Sequence, residues 1–309
     1  MFPIRPSPAP IEAPDQDFWA APDGLVVGGD CAIGRALAAR LRTARLNVAT
    51  TSRRHGDGGD DAHYFDLETL QGVATLPVSR YLVLVAAETK FTVCAAEPER
   101  TALVNVAAPV ALARRTVDAG GRVLYFSSIA VHDGSRDRPR EDEPPRPNSV
   151  YGGQKRTAEE RLLALGGDIA VLRPSKVIDN GFPLFRTWLD SLRRGDEVEA
   201  FADMMVAPVG VTFLADAAAR LLAARNATGI FQISAAEQVS YAEIARHMAR
   251  RIGAPERLVR PVEAAKQSDP AALWLPRFAR LGCGRLTAAI GVAPPDPMEA
   301  VDAFLEARP

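Results

Sequence analysis

Short apolar runs alternate with stretches of helical periodicity along most of the chain. Gly24-Leu25-Val26-Val27 is followed at once by Gly28-Gly29-Asp30-Cys31-Ala32-Ile33-Gly34, after which Ala36, Leu37, Ala38 and Leu41 recur at helical spacing. That order predicts a strand, a tight glycine turn and a helix. β-Prone runs over 47–51, 81–86, 122–126 and 169–172 predict further strands, with helices near 100–118 and 151–165 between the later ones. Alternating β and α units predict an α/β fold, a doubly wound parallel sheet covered on both faces.

Beyond residue 178 the pattern loosens. A helical stretch at 184–194, Pro208-Val209-Gly210-Val211 and an alanine-rich helix at 215–224 precede Ile230-Phe231-Gln232-Ile233, which reads as one more strand of the main sheet. From Tyr241 the helical runs are broken at Pro255, Pro261, Pro270, Pro276 and Pro294-Pro295, which fits a smaller C-terminal lobe. The expected organisation is a proline-rich arm over 1–22 and a dinucleotide-binding domain over 23–178 to which 208–234 returns. A substrate lobe then comprises 179–207 and 235–309. No repeat of solenoid or propeller length is present.

Composition narrows the class of function. The 309 residues carry 47% hydrophobic residues, enough for a sizeable core, and 37 basic against 38 acidic side chains, so a polyanion such as nucleic acid is not an expected partner. Cys31, Cys94 and Cys283 form no CxxC and are odd in number, which argues against a disulfide framework or a zinc site. No metal is expected, and the setting is read as reducing and cytoplasmic. No apolar stretch has the length of a signal peptide or a membrane span, so a soluble protein is expected.

A glycine turn between a first strand and a first helix lets backbone N–H groups approach a pyrophosphate at the positive helix end. Gly28 and Gly34 take the outer positions of such a turn, with Asp30 and Ile33 inside it. Cys31 stands at the middle position, where its side chain would project towards phosphate. Three readings stay open: weakened or re-shaped cofactor binding, a small buried residue in a shifted loop, or a reactive thiol activated by the helix end. The second strand ends in Ser52-Arg53-Arg54 where an NAD enzyme would carry a carboxylate, and a hydroxyl with two guanidinium groups suits the 2′-phosphate of NADP. NADP is the expected cofactor and NAD the alternative. Asp66-Leu67 is placed near the adenine, and Ala86-Ala87 leaves room beside the dinucleotide.

Tyr151 and Lys155 lie four residues apart, twenty-three positions after Ser128. On a helix this puts phenol and ammonium on one face, where the cation favours the phenolate and makes the tyrosine a usable acid or base. Ser128 in Phe126-Ser127-Ser128-Ile129-Ala130-Val131, the Tyr151/Lys155 pair, Val104-Asn105-Val106 and Leu172-Arg173-Pro174 resemble the motifs of the extended short-chain dehydrogenase/reductases over roughly residues 24–305. That family comprises nucleotide-sugar epimerases, dehydratases and reductases. The resemblance implies a Rossmann domain with Tyr151 as acid or base. Lys155 lowers the tyrosine's pKa and holds the nicotinamide ribose, Ser128 polarises a substrate oxygen, and Asn105 helps to hold the active-site helix. It also implies a nucleotide-sugar substrate and, because family members often pair through helices flanking the Tyr/Lys helix, a homodimer.

Ile129-Ala130 after Ser128 departs from the Asp-Glu of the family's dehydratases and from the Cys of its 3,5-epimerases, and His132 reads as a packing residue. A 4-reductase and a 4-epimerase remain. Ala86-Ala87-Glu88-Thr89, Ala96-Glu97 and Val131-His132-Asp133-Gly134 are similar to stretches of the family's 4-keto-sugar reductases, and Arg53-Arg54 agrees. Lys176, however, stands where those reductases have Trp, and no metal-contacting acidic set is identifiable. A non-catalytic NADP-binding regulatory protein is the third reading. Trp188, Trp274, Arg277 and Arg280 read as packing or surface residues, and the charges of 133–147 as a solvated loop at the mouth of the site.

Overall fold

The structure, a computed structural model, describes residues 22–54, 62–264 and 276–307. The proline-rich arm up to residue 21 and Trp274 lie outside the described residues. In chain order the strands are β1 (Gly24–Val27), β2 (Val48–Ser52), β3 (Ala62–Tyr64), β4 (Tyr81–Leu84), β5 (Arg122–Phe126), β6 (Asp168–Pro174) and β7 (Val177–Ile178). They continue with β8 (Val198–Phe201), β9 (Met205–Val206), β10 (Val209–Gly210), β11 (Gly229–Ile233), β12 (Val239–Ser240) and β13 (Val259–Val262). Helices are α1 (Ala32–Thr43), α2 (Phe91–Ala96), α3 (Pro98–Ala102), α4 (Ala108–Asp118), α5 (Val150–Leu163), α6 (Pro183–Arg194), α7 (Val211–Ala223) and α8 (Tyr241–Ile252).

Seven strands make one parallel sheet in the order β11-β6-β5-β4-β1-β2-β3. The apolar runs are continuous because both faces are covered, and alternate residues serve opposite faces. Val26, Val83, Leu124 and Leu172 pack under Leu37 and Leu41 of α1 and Leu214 and Leu221 of α7. Their neighbours Leu25, Leu82, Val123 and Val171 pack under Leu112 of α4 and Leu162 of α5. Strand order reverses between β1 and β4, and the crevice outside the carboxyl ends of those strands is where such sheets bind ligands. This is the Rossmann arrangement expected from the chain's periodicity.

A third core joins Phe185, Trp188 and Leu192 of α6 to Ile244 and Met248 of α8 and to Phe304 of the helix Pro297–Glu306. Three two-stranded sheets, β7 with β10, β8 with β13 and β9 with β12, accompany it. Two elements differ from the sequence reading. β3 at the sheet edge was not expected, since Ala62-His63-Tyr64 is short and only half-buried. The helix expected near 100–118 is α3, a π-helical turn over Leu103–Ala107 and α4 in succession. Local periodicity does not announce one wide turn.

Candidate active site

Ser127 and Ser128 leave the carboxyl end of β5. The Ser127 amide stays tied to β6 through the Leu172 carbonyl at 2.8 Å, while the Ser128 hydroxyl caps a 3₁₀ turn over Ile129–Val131 by accepting the Ala130 N–H at 3.1 Å. Ser149 caps α5 in the same manner, accepting the Gly152 N–H at 3.1 Å. Glycine at 152 allows α5 to lie on that turn: a Cβ there would sit 2.0 Å from the Ala130 carbonyl oxygen. The close approach carries Tyr151 to Ser128, whose side chain favours the ionised phenol. Phe91 of α2 covers the tyrosine ring at 5.3 Å between centroids, and Cys94 packs beside it.

Lys155 lies one helical turn on and is buried. Its ammonium donates to the Phe126 carbonyl at 2.9 Å and sits 4.6 Å from the Tyr125 ring centroid and 6.0 Å from that of Tyr151. Burial lowers Lys155 to about 7, against the opposing field of Glu159. Burial also pushes Tyr151 up to about 12, with the Ser128 side chain pulling the other way. Here the structure differs from expectation, since the ammonium is bonded to backbone instead of the phenol oxygen, and desolvation decides the tyrosine's state. The phenol holds its proton at neutral pH.

Asn105 occupies the π turn, and its amide hydrogen-bonds Glu88, Gln154 and Cys94, not Ser128, Tyr151 or Lys155. Its Oδ1 accepts the Glu88 N–H at 2.9 Å, and its Nδ2 donates to the Glu88 carbonyl at 3.0 Å and to Gln154 Oε1 of α5 at 2.7 Å. It therefore joins the loop after β4 to the helix that carries Tyr151 and Lys155. The Tyr125 hydroxyl donates to the Asn105 carbonyl at 3.4 Å, a contact made within the widened turn.

A cleft of about 470 Å³ opens at the sheet's switch point. Of the residues expected around a dinucleotide, Gly28, Asp30, Cys31, Ile33, Ser52, Arg53, Leu67, Ala86 and Ala87 line it. Gly34 stands behind the turn, where a Cβ would lie 2.0 Å from the Gly28 carbonyl oxygen. Asp66 instead caps its own turn, accepting the Glu68 N–H at 2.8 Å. Arg54 faces a neighbouring hollow with Arg35 and Arg42, and its N–H donates to Ser52 Oγ at 3.0 Å. Tyr151 and Lys155 are not in the cleft lining. Thr51, Phe65 and Asp179 line it without having been expected. Phe65 and Thr51 adjoin expected residues, whereas Asp179 comes from the segment after β7 and only folding brings it there.

Cys31 lines the cleft while its sulfur turns onto the first turn of α1. It is the N-cap of α1, its Sγ accepting the Gly34 N–H at 3.3 Å, and burial pushes its thiol up, contrary to the activated-thiol reading. His132 is a packing residue as expected, buried with Nε2 3.1 Å from Gln232 Oε1 and held below its ordinary pKa by burial. Trp188 stacks on Phe185 in the lobe core. The loop charges are not merely solvated: Arg280 pairs with Asp137 at 2.5 Å and with Glu237, and Arg138 reaches Glu237 at 3.1 Å. Arg277 lies over its neighbour Phe278. Lys176 rests 4.8 Å over the Phe182 ring, lowered by burial. Among the described residues, no group of three or more His, Cys, Asp or Glu could hold a metal, and no helix is long and apolar enough to cross a membrane.

The family model of the RmlD substrate binding domain matches residues 24–308. The chain belongs to this family. A dTDP-4-dehydrorhamnose reductase from Streptomyces griseus is 29% identical over 278 residues, 88% of this chain and 89% of that protein. The crystal structure of dTDP-4-dehydrorhamnose reductase from Bacillus anthracis in complex with NADP superposes with a TM-score of 0.78 at 19% identity, covering 92% of this chain and 98% of that one. The Thermus thermophilus UDP-glucose 4-epimerase in complex with NAD does so with a TM-score of 0.75 at 22% identity, covering 92% and 99%. At such identities the two structures establish the shared fold of this family member.

Proposed function

We propose that the chain is an NADP-dependent oxidoreductase that reduces a keto group of a nucleotide-sugar, with Tyr151 as the proton donor. The observation that carries this reading is a buried phenol brought to Ser128 by the packing of α5, its pKa pushed up by burial, beside a crevice with the features of a dinucleotide site. The residues present fit that cofactor. The first turn of α1 carries no acidic side chain to oppose a pyrophosphate, and Arg53 stands at the end of β2 on the cleft wall, where a 2′-phosphate would need a cation. When bound, NADPH supplies a hydride for the keto carbon.

The chain's own residues supply the rest. The Ser128 hydroxyl orients and polarises the carbonyl oxygen, and Tyr151 gives that oxygen its proton as negative charge develops there. Lys155, held near neutrality and fixed on the Phe126 carbonyl, stabilises the phenolate left behind. Asn105 keeps α5 in register with the cleft wall through Gln154 and Glu88. The relatives named as reductases of a 4-keto sugar support the same class of substrate.

The test is consumption of NADPH with a panel of 4-keto sugar nucleotides. Tyr151→Phe is expected to lower kcat by about 10²–10⁴ with NADP binding retained. Unchanged turnover in that variant removes Tyr151 from the chemistry. Interconversion of 4-epimers without net loss of NADPH would favour an epimerase, and NADP binding without turnover of any substrate a regulatory protein.

A further inference from the structure

We propose that Glu159 is a positioning residue of this site: gripped by Arg173 and by the Ser127 hydroxyl, it clamps the end of β5 against α5 and sets a compensating charge beneath the Lys155 ammonium. The proposal rests on the reading of Tyr151, Ser128 and Lys155 given above. Glu159 lies four residues after Lys155 on α5, hence on the same helix face. Its carboxylate accepts Arg173 Nε at 2.9 Å and Nη2 at 2.6 Å, a two-point pair in which Arg173 is 0% and Glu159 3% exposed. The same carboxylate accepts the Ser127 hydroxyl.

Two residues one helical turn apart thus grip two consecutive residues of the strand end. Lys155 takes the Phe126 carbonyl, and Glu159 takes the Ser127 side chain. The next residue is Ser128, which meets the tyrosine. Any slip of Ser127 relative to α5 would move Ser128 relative to Tyr151, and the Arg173 anchor on β6 resists that slip. A buried ion pair is a poor device for stability alone, since apolar residues of like volume in its place are often neutral or stabilising. Its worth here lies in where it puts charge and strand.

The groups facing Lys155 are few. Tyr151 and Glu159 come from α5, Tyr125 from β5 and Cys94 from α2, while His132 meets the Arg173 end of the network through Gln232. Of these, the Glu159 carboxylate sets a field that opposes the burial driving Lys155 down. Removing it therefore moves the Lys155 titration to lower pH.

The chain has only four lysines, Lys90, Lys155, Lys176 and Lys266, so side-chain carbon NMR of lysine-labelled protein resolves each, with Lys155→Met assigning the signal. Glu159→Gln is expected to shift the Lys155 midpoint to lower pH and to pull the alkaline limb of keto-sugar reduction down with it, because the protonated lysine is lost sooner. Should the unpaired Arg173 prevent folding, Glu159→Met combined with Arg173→Met removes both charges with packing kept. Because the Arg173 cation leaves with the anion, it is expected to show a smaller downward shift than Glu159→Gln. A Lys155 midpoint unmoved in a folded variant overturns the proposal. The titration needs no substrate, so a shift without any keto-sugar turnover would instead count against the reductase reading alone.

Discussion

At the residue scale, what matters about Tyr151 and Lys155 is their desolvation. Ser128, Tyr151 and Lys155 were legible in the sequence as candidates because their residue types and spacing suit proton transfer. Their protonation was not, because it depends on burial among Phe91, Cys94 and Tyr125, residues distant in the chain. Lys155 stands at about 7 in the fold against 10.5 for an ordinary lysine. Between those values the unfolded chain binds a proton that the folded chain does not, so this group makes stability rise with pH across the window and costs most below it. Denaturant titrations at the two ends of the window should show that rise in the parent and its loss in Lys155→Met. Cys31 teaches the same lesson in reverse. Its position in the glycine turn allowed an activated thiol, yet a β-region backbone turns its sulfur onto the helix as a cap and burial pushes the thiol up.

At the scale of elements, the buried strands of the main sheet were readable as apolar runs because both faces of the sheet are covered. The edge strand β3 and the π turn were not, since one is half-buried and the other depends on how α3 and α4 meet the loop after β4. The packing of α5 on the turn after Ser128 offers a sharp contrast between adjacent glycines. Gly152→Ala places a methyl against the Ala130 carbonyl oxygen and is expected to destabilise by about 1–3 kcal/mol while separating Tyr151 from Ser128. Gly153→Ala meets nothing within 4 Å and is expected to stabilise by about 0.5–1 kcal/mol through helix propensity. Urea melts of the two variants, with kcat measured on each, check both directions.

At the scale of the whole molecule, the sheet's switch point, the glycine turn and the end of β2 converge on one cleft, so cofactor should report itself in global stability. Saturating NADP at about one hundred times its Kd is expected to add about 2.7 kcal/mol and raise Tm, with NAD at the same concentration adding less. Arg53→Ser should erase most of that difference and leave the response to NAD in place. Equal shifts with the two cofactors in the parent would remove Arg53 as a discriminator. The segment 133–143 belongs to this scale as well. Its arginines and acids read as a surface run, but Gln232 Nε2 donates to the Pro139 carbonyl at 2.7 Å and Arg280 pairs with Asp137, binding the loop to β11 and to the chain near residue 280.

Sequence alone determined the alternation of strands and helices, the glycine turn and the identity of the Ser, Tyr and Lys. Each of these is written in residues close together or in a fixed local period. Only the tertiary structure decided that burial raises the Tyr151 phenol, that Cys31 caps a helix, that Asp179 reaches the switch-point cleft and that Glu159, held by Arg173, takes the Ser127 hydroxyl. Those outcomes are set by burial and by contacts between residues far apart in the chain, where the dielectric and the partners of a side chain exist only once the sheet and its helices have closed around it.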